Sequence, residues 1–305
     1  MPDDEIGGKA FSTSAQQMNP GSQEGLHFKV GGKEQDRRNY VDFKNDENVL
    51  SSYESIVQIE GLDCNGGRFV GSGSGVIRNG IDYTYTCAHN IIGVSPLDGK
   101  KVPYTDLTAY RMRKGPDVYN RKYLLTQTVV HPNYDGKPGC GFDIAVCRVG
   151  KVLPKRNYTT TNYSAKKTVM DSFAGSIAPN KLKEGTMVQV AGYPGEKAGL
   201  LYEHSGPVAQ VIKTELGGYV LTYKLDTTPG NSGSQVSVVD ETIVKQYPGL
   251  AAVEQGYKDR GVEHNLQKMI IGIHTGSDYT NQVNFGTLIT PEIRKWLLES
   301  MDKMK

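Results

Sequence analysis

Three short runs of this sequence hold the residue types that acyl transfer requires. Ser232 lies in Thr227-Thr228-Pro229-Gly230-Asn231-Ser232-Gly233-Ser234, His89 in Thr86-Cys87-Ala88-His89-Asn90, and Asp143 in Gly141-Phe142-Asp143-Ile144-Ala145-Val146. A serine becomes a nucleophile when an imidazole takes its proton, a carboxylate holds that imidazole in one tautomer, and backbone amides face the developing oxyanion. His89 follows a β-type run and a small residue, where a strand can end at a cleft, and Asp143 opens a β-type run that can bury its carboxylate. Gly230 and Gly233 permit the tight backbone in which the amides of Gly230 and Ser232 point the same way. Singly, each run is more often structural: a histidine after a strand, an aspartate at a strand start and a Gly-Asn-Ser-Gly loop are all common. Together, in the chain order His, Asp, Ser, they separate one triad fold from the others.

The elements that must position these residues are short strands. From Ser55 onward, β-type runs alternate with turn residues: 55–59, 68–70, 75–77, 83–87, 123–130, 144–149, 187–191, 206–212, 219–225, 235–239 and 269–274. Such a pattern predicts an all-β barrel or sandwich. Near the end, Thr290-Pro291 supplies an N-cap and first-turn proline, and Ile293, Trp296, Leu297 and Met301 fall on one helical face, predicting a docked helix over 290–302. Residues 1–50 have the polar composition of a leader or loosely draped arm, and 240–268 read as a long surface insertion. The pair Arg37-Arg38 is a candidate processing point beside its plainer reading as solvated charge.

Bulk properties exclude several classes. With 35 basic and 33 acidic residues the net charge is +2, which selects neither nucleic acid nor an anionic membrane as a partner. No apolar run is long enough to span a bilayer, and the start at Met1 lacks the pattern of an export signal. No residue cluster has ligand spacing for a metal, so no cofactor is expected. Cys64, Cys87, Cys140 and Cys147 read as buried thiols more readily than as disulfides. Two glycosylation sequons begin at Asn157 and Asn162 and do not settle the compartment.

Over roughly Ser55 to Leu298 the sequence resembles the chymotrypsin-like serine peptidases, and more closely their glutamyl endopeptidase branch. The runs that carry the resemblance are Thr86-Cys87-Ala88-His89, Val129-Val130-His131-Pro132-Asn133-Tyr134, Gly192-Tyr193-Pro194-Gly195-Glu196-Lys197, Glu203-His204-Ser205-Gly206-Pro207, Asp226 to Ser234, and Ile271-Gly272-Ile273-His274-Thr275-Gly276. It implies two six-stranded antiparallel β-barrels, over 51–165 with His89 and Asp143 and over 166–305 with Ser232, closed by a C-terminal α-helix. It also implies a monomeric, secreted endopeptidase acting on polypeptide substrates, with His131 structural. The roles carried over are Ser232 as nucleophile, His89 as base, Asp143 as orienting carboxylate, and the amides of Gly230 and Ser232 as oxyanion hole.

In the glutamyl branch a pocket histidine and a hydroxyl residue five before the nucleophile receive the substrate carboxylate; here these are His274 and Thr227, with Thr275 and Gly276 following beside the substrate. A protonated His274 would make that contact charge-assisted. Asp226, six residues before Ser232, occupies the place where trypsin-type enzymes select Lys or Arg, and it argues for the opposite preference. Asn231 removes the partner of the trypsin-type activation switch; in the glutamyl branch the mature amino terminus lies near the pocket instead, so the resemblance implies that the leader controls activity. Asn90 stands where a disulfide commonly follows the histidine. A third reading is a non-catalytic binding protein that keeps the fold.

Overall fold

Short β-branched and aromatic runs separated by glycine turns pair antiparallel along the chain, as their alternation requires. The computed structural model describes residues 36–41, 53, 55–95, 97–153, 175–245 and 268–304. The sequons and most of the predicted leader and insertion lie outside these residues.

A two-residue strand, β1 (Asn39–Tyr40), comes first. Then follow β2 (Ile56–Leu62), β3 (Arg68–Arg78) and β4 (Ile81–Thr86), a ribbon of β5 (Ile92–Val94) with β6 (Lys101–Pro103), and β7 (Thr105–Arg111), β8 (Arg121–Val130) and β9 (Ala145–Val152). Strands β2-β3-β4-β9-β8-β7 pair in that order around a closed barrel. Val57, Ile59, Leu107, Ala109, Leu125 and Cys147 cluster in its core.

The second half contributes β10 (Met187–Gly192), β11 (Tyr202–Lys213), β12 (Tyr219–Tyr223), β13 (Gln235–Val238), β14 (Met269–Asp278) and β15 (Val283–Leu288). The sheet runs β11-β10-β13-β14-β15-β12, and β12 pairs back on β11 to close a second six-stranded barrel. Strand β11 is long enough for two neighbours on one side: β1 pairs with Tyr202 and Glu203, and β12 with the stretch from Val208 to Lys213. The described part of the amino-terminal arm is therefore an edge strand of the second barrel. Val190, Leu221, Tyr223, Leu225, Val236 and Ile271 cluster in that barrel's core. The head of the expected insertion forms a short helix, α1 (Glu241–Lys245), whose Val244 joins this cluster.

Helix α2 (Pro291–Lys303) starts as its sequence predicts, with Pro291 in the first turn and the Thr290 hydroxyl accepting a hydrogen bond from Ile293 N at 3.4 Å. Ile293, Leu297 and Met301 are buried against Val76, Tyr83 and Ile273, so the helix seals a cluster drawn from both barrels. Burying each such side chain contributes about 1.5–3 kcal/mol. The Tyr83 hydroxyl donates to Met301 O at 2.8 Å, and Arg78 pairs with Asp302 at 2.7 Å.

Candidate active site

The loop that follows Thr228 is built so that only glycine fits beside Ser232. Gly230 has φ +96° and Gly233 φ +89°. A Cβ on Gly233 would lie 1.9 Å from Ser72 O, and one on Gly230 2.4 Å from Gly195 N. The first barrel grips this loop. Ser72 N and Asn90 Nδ2 both donate to Ser232 O, at 2.7 and 2.8 Å, and the Ser72 hydroxyl donates to Gly230 O at 2.8 Å. Among the described residues, the amides of Gly230 and Ser232 donate to no protein acceptor.

The short 3-10 turn Ala88–Asn90 ends β4 and presents His89. Asp143 is fully buried just ahead of β9, and its carboxylate takes both groups that histidine offers: Nδ1 at 2.6 Å from Oδ2, and the His89 amide at 3.1 Å from Oδ1. Burial opposes charge on the His89 ring, but the Asp143 carboxylate outweighs it and holds the imidazole well above its ordinary value. The other ring nitrogen, Nε2, faces Cys87 Sγ at 3.4 Å. No hydrogen bond joins His89 to the Ser232 hydroxyl among the described contacts.

His274 is brought to the same place from β14. Gly233 N donates to His274 O at 2.8 Å and His274 N to Ser234 O at 2.9 Å, so the strand is tied to the nucleophile loop. Its Nδ1 lies 2.8 Å from the Tyr223 hydroxyl. Burial, reinforced by the nearby His89 charge and offset in part by a hydrogen bond to the Phe285 main chain, pushes His274 down to about 3. The imidazole is thus neutral in this pocket, and the charge-assisted contact that a protonated His274 would give is not available in the free protein. A bulge between His274 and Gly276 sets Thr275 out of register, buried and with its hydroxyl unpartnered among the described residues. Gly276 pairs with Phe285, whose ring a Cβ there would meet at 2.9 Å. Thr227 is buried next to Asp226.

Asp226 is already engaged. Its carboxylate accepts from Arg37 N at 3.1 Å, Nε at 3.2 Å and Nη2 at 2.8 Å. Its amide donates to His204 Nδ1 at 2.8 Å. Burial opposes its charge, yet the Arg37 contacts hold the carboxyl below its ordinary value. The adjacent Arg38 is buried: it pairs with Asp36 at 2.8 Å and Glu196 at 2.6 Å and donates to Thr228 Oγ1 at 2.8 Å. The dibasic pair, one reading of which was solvated charge, is instead a clamp between the arm and the pocket loop. All four cysteines are free thiols, with Cys64 part-exposed and the others buried.

Sequence reasoning missed Ser72 and Cys87 as neighbours of the catalytic candidates, and saw Asn90 only as an absent cysteine. Asn90 fills that space as a donor, reaching Thr86 Oγ1 at 3.0 Å as well as Ser232 O. His131 is structural: its ring stacks on Phe142 at 4.6 Å and meets Trp296 edge-on at 4.7 Å.

Two closed six-stranded antiparallel barrels, a terminal helix and a loop-borne serine between them define the chymotrypsin-like fold. A solved Glu endopeptidase shares it with a TM-score of 0.57 and 19% identity, over 87% of this chain and 97% of that one. The protease Anisep from Arthrobacter nicotinovorans gives 0.53 at 13% identity, over 79% and 93% of the two chains. No family model matches the sequence. A stretch of 53 residues is 49% identical to the curated glutamyl endopeptidase of Bacillus licheniformis; it covers 17% of this chain and 15% of that relative. The match thus spans well under a fifth of the curated relative's length.

Proposed function

We propose that the chain is a serine endopeptidase that cleaves after Glu, and less readily after Asp, with Ser232, His89 and Asp143 as its triad. The observation that carries this reading is the contact of the buried Asp143 with the part-exposed His89 at 2.6 Å, one residue from the Asn90 amide that holds the Ser232 carbonyl. In its neutral form, on substrate binding, His89 turns Nε2 from Cys87 to the Ser232 hydroxyl, takes its proton as Oγ attacks the scissile carbonyl, and returns it to the leaving amine. Asp143 stays ionised and stabilises the imidazolium. The amides of Gly230 and Ser232 receive the oxyanion, and water then releases the acyl group by the same route.

The glutamate preference rests on a neutral His274. In this reading the Tyr223 hydroxyl donates to Nδ1, so Nε2 carries the ring proton; on substrate binding that proton turns from the Phe285 main chain to the substrate carboxylate, which the Thr227 hydroxyl also meets. The grip of Arg37 on Asp226 weighs against the reading in which that carboxylate selects Lys or Arg.

The test combines fluorophosphonate labelling with peptides that differ only at the residue before the cut. Labelling abolished by Ser232→Ala, with turnover highest on the Glu peptide, is the expected result. An unlabelled wild type would remove the enzyme reading. Turnover confined to Lys and Arg peptides would remove the pocket assignment alone.

A further inference from the structure

Among the described residues, the donor atoms of Cys87, His89 and Asp143 gather within 4.8 Å of one another, a set of ligand types that metals use. The detailed geometry is more telling than the grouping. Zinc takes thiolate sulfur at about 2.3 Å and imidazole nitrogen at about 2.0–2.1 Å, and a tetrahedral angle between them puts sulfur and nitrogen about 3.5 Å apart. Cys87 Sγ and His89 Nε2 stand 3.4 Å apart. The other ring nitrogen of His89 is already held by Asp143 at 2.6 Å, the carboxylate–histidine arrangement that orients a metal-bound imidazole. The His89 side chain is 25% exposed, so an ion reaches the pair from the imidazole side, Cys87 being fully buried. Cys87 itself packs in the cluster between the first barrel and α2, where a small apolar side chain would fill the same space. The thiol adds to that packing a soft ligand aimed at the base.

We propose that Cys87 Sγ and His89 Nε2 form an inhibitory site for a soft divalent cation, zinc being the type case. As the ion binds, the Cys87 thiol and the protonated His89 Nε2 each release a proton to solvent, and the freed imidazole lone pair is spent on the metal. His89 then has no lone pair for the Ser232 proton. The inhibitory part rests on the reading of His89 as the general base; the metal site itself does not.

The experiment uses the full chain and two readouts. Cobalt(II) is titrated into the wild type, Cys87→Ala and Cys87→Ser, and the near-ultraviolet thiolate-to-cobalt charge-transfer band is followed. Fluorophosphonate labelling is then timed with and without saturating zinc, before and after a chelator. The expected result is a band in the wild type that both variants lack. Zinc should slow wild-type labelling by about 100-fold or more, the contribution of a general base, reversibly and with little effect on either variant. No band in the wild type, or a band that persists in the variants, overturns the site. A Cys87-dependent band without slowed labelling overturns the inhibition, and with it the assignment of His89 as base.

Discussion

The guanidinium of Arg37 and the carboxylate of Asp226 form a close ion pair at 2.8 Å, the acid fully enclosed and the base half-exposed. The residue that would draw Lys or Arg substrates into the pocket is thus neutralised by the chain's own arm. Arg37→Ala should expose that preference: turnover of Lys and Arg peptides should rise from a negligible baseline, while the buried acid, keeping the backbone amide of residue 37 but losing the guanidinium, lowers stability by about 1–3 kcal/mol. A peptide panel and urea midpoints measure both. Efficient cleavage after Lys by the wild type would mean that Asp226 is reachable past Arg37.

Asn90 makes a second prediction. Its amide holds both Ser232 O and Thr86 Oγ1, at 2.8 and 3.0 Å, from a buried position. Asn90→Ala leaves Ser72 N as a donor to the Ser232 carbonyl, so the loop should persist but sit less firmly. Stability should fall by about 1–2 kcal/mol, and kcat by about tenfold, the equivalent of roughly 1.4 kcal/mol in the barrier. KM should be unchanged, a split that a purely structural loss would not produce. Steady-state kinetics on a Glu peptide decides.

Much of this was legible in the sequence because it was local. The helix cap at Thr290, the glycines around Ser232 and most strands depend on neighbours in the chain, and they fall where the pattern puts them. Strands β7 and β15 were not read, since Thr105-Asp106-Leu107 and Val283-Asn284-Phe285-Gly286 interrupt the apolar alternation and are strands by virtue of their partners. The contacts between Arg37 and Asp226, 189 residues apart, and between Asn90 and Ser232, 142 apart, follow from how the barrels close. The neutrality of His274 was equally out of reach, because burial sets it and burial belongs to the fold.

His131 supplies a stability prediction. Desolvation between Phe142 and Trp296 pushes its imidazole down to about 4 from an ordinary 6.5. Between those values the unfolded chain binds a proton that the native state refuses, so stability is present above the unfolded value and declines as pH falls towards the folded one. The full difference is about 3 kcal/mol. Urea midpoints of the wild type should fall from about pH 6.5 to 4 more steeply than those of His131→Phe. Parallel curves would place the acid sensitivity elsewhere.

The state of His274 in the working enzyme is decided by how glutamate preference varies with pH. In the free protein the ring titrates near 3, so it is neutral across the neutral range. If the Glu complex required an imidazolium, each turnover would begin with uptake of a proton. The ratio of kcat/KM for a Glu peptide to that for its Gln counterpart would then fall about tenfold for each unit of rising pH, over the whole range from about 6 to 8. If the neutral ring donates its own proton with Thr227, no proton is taken up and the ratio stays flat. Taking the ratio cancels His89, which serves both substrates alike. Tyr223 Oη lies 2.8 Å from Nδ1, and in this reading its hydroxyl donates to that nitrogen and leaves the ring proton on Nε2. The expected outcome is therefore a flat ratio in the wild type, and one reduced at every pH in Tyr223→Phe. A tenfold fall per unit in the wild type would overturn the neutral pocket.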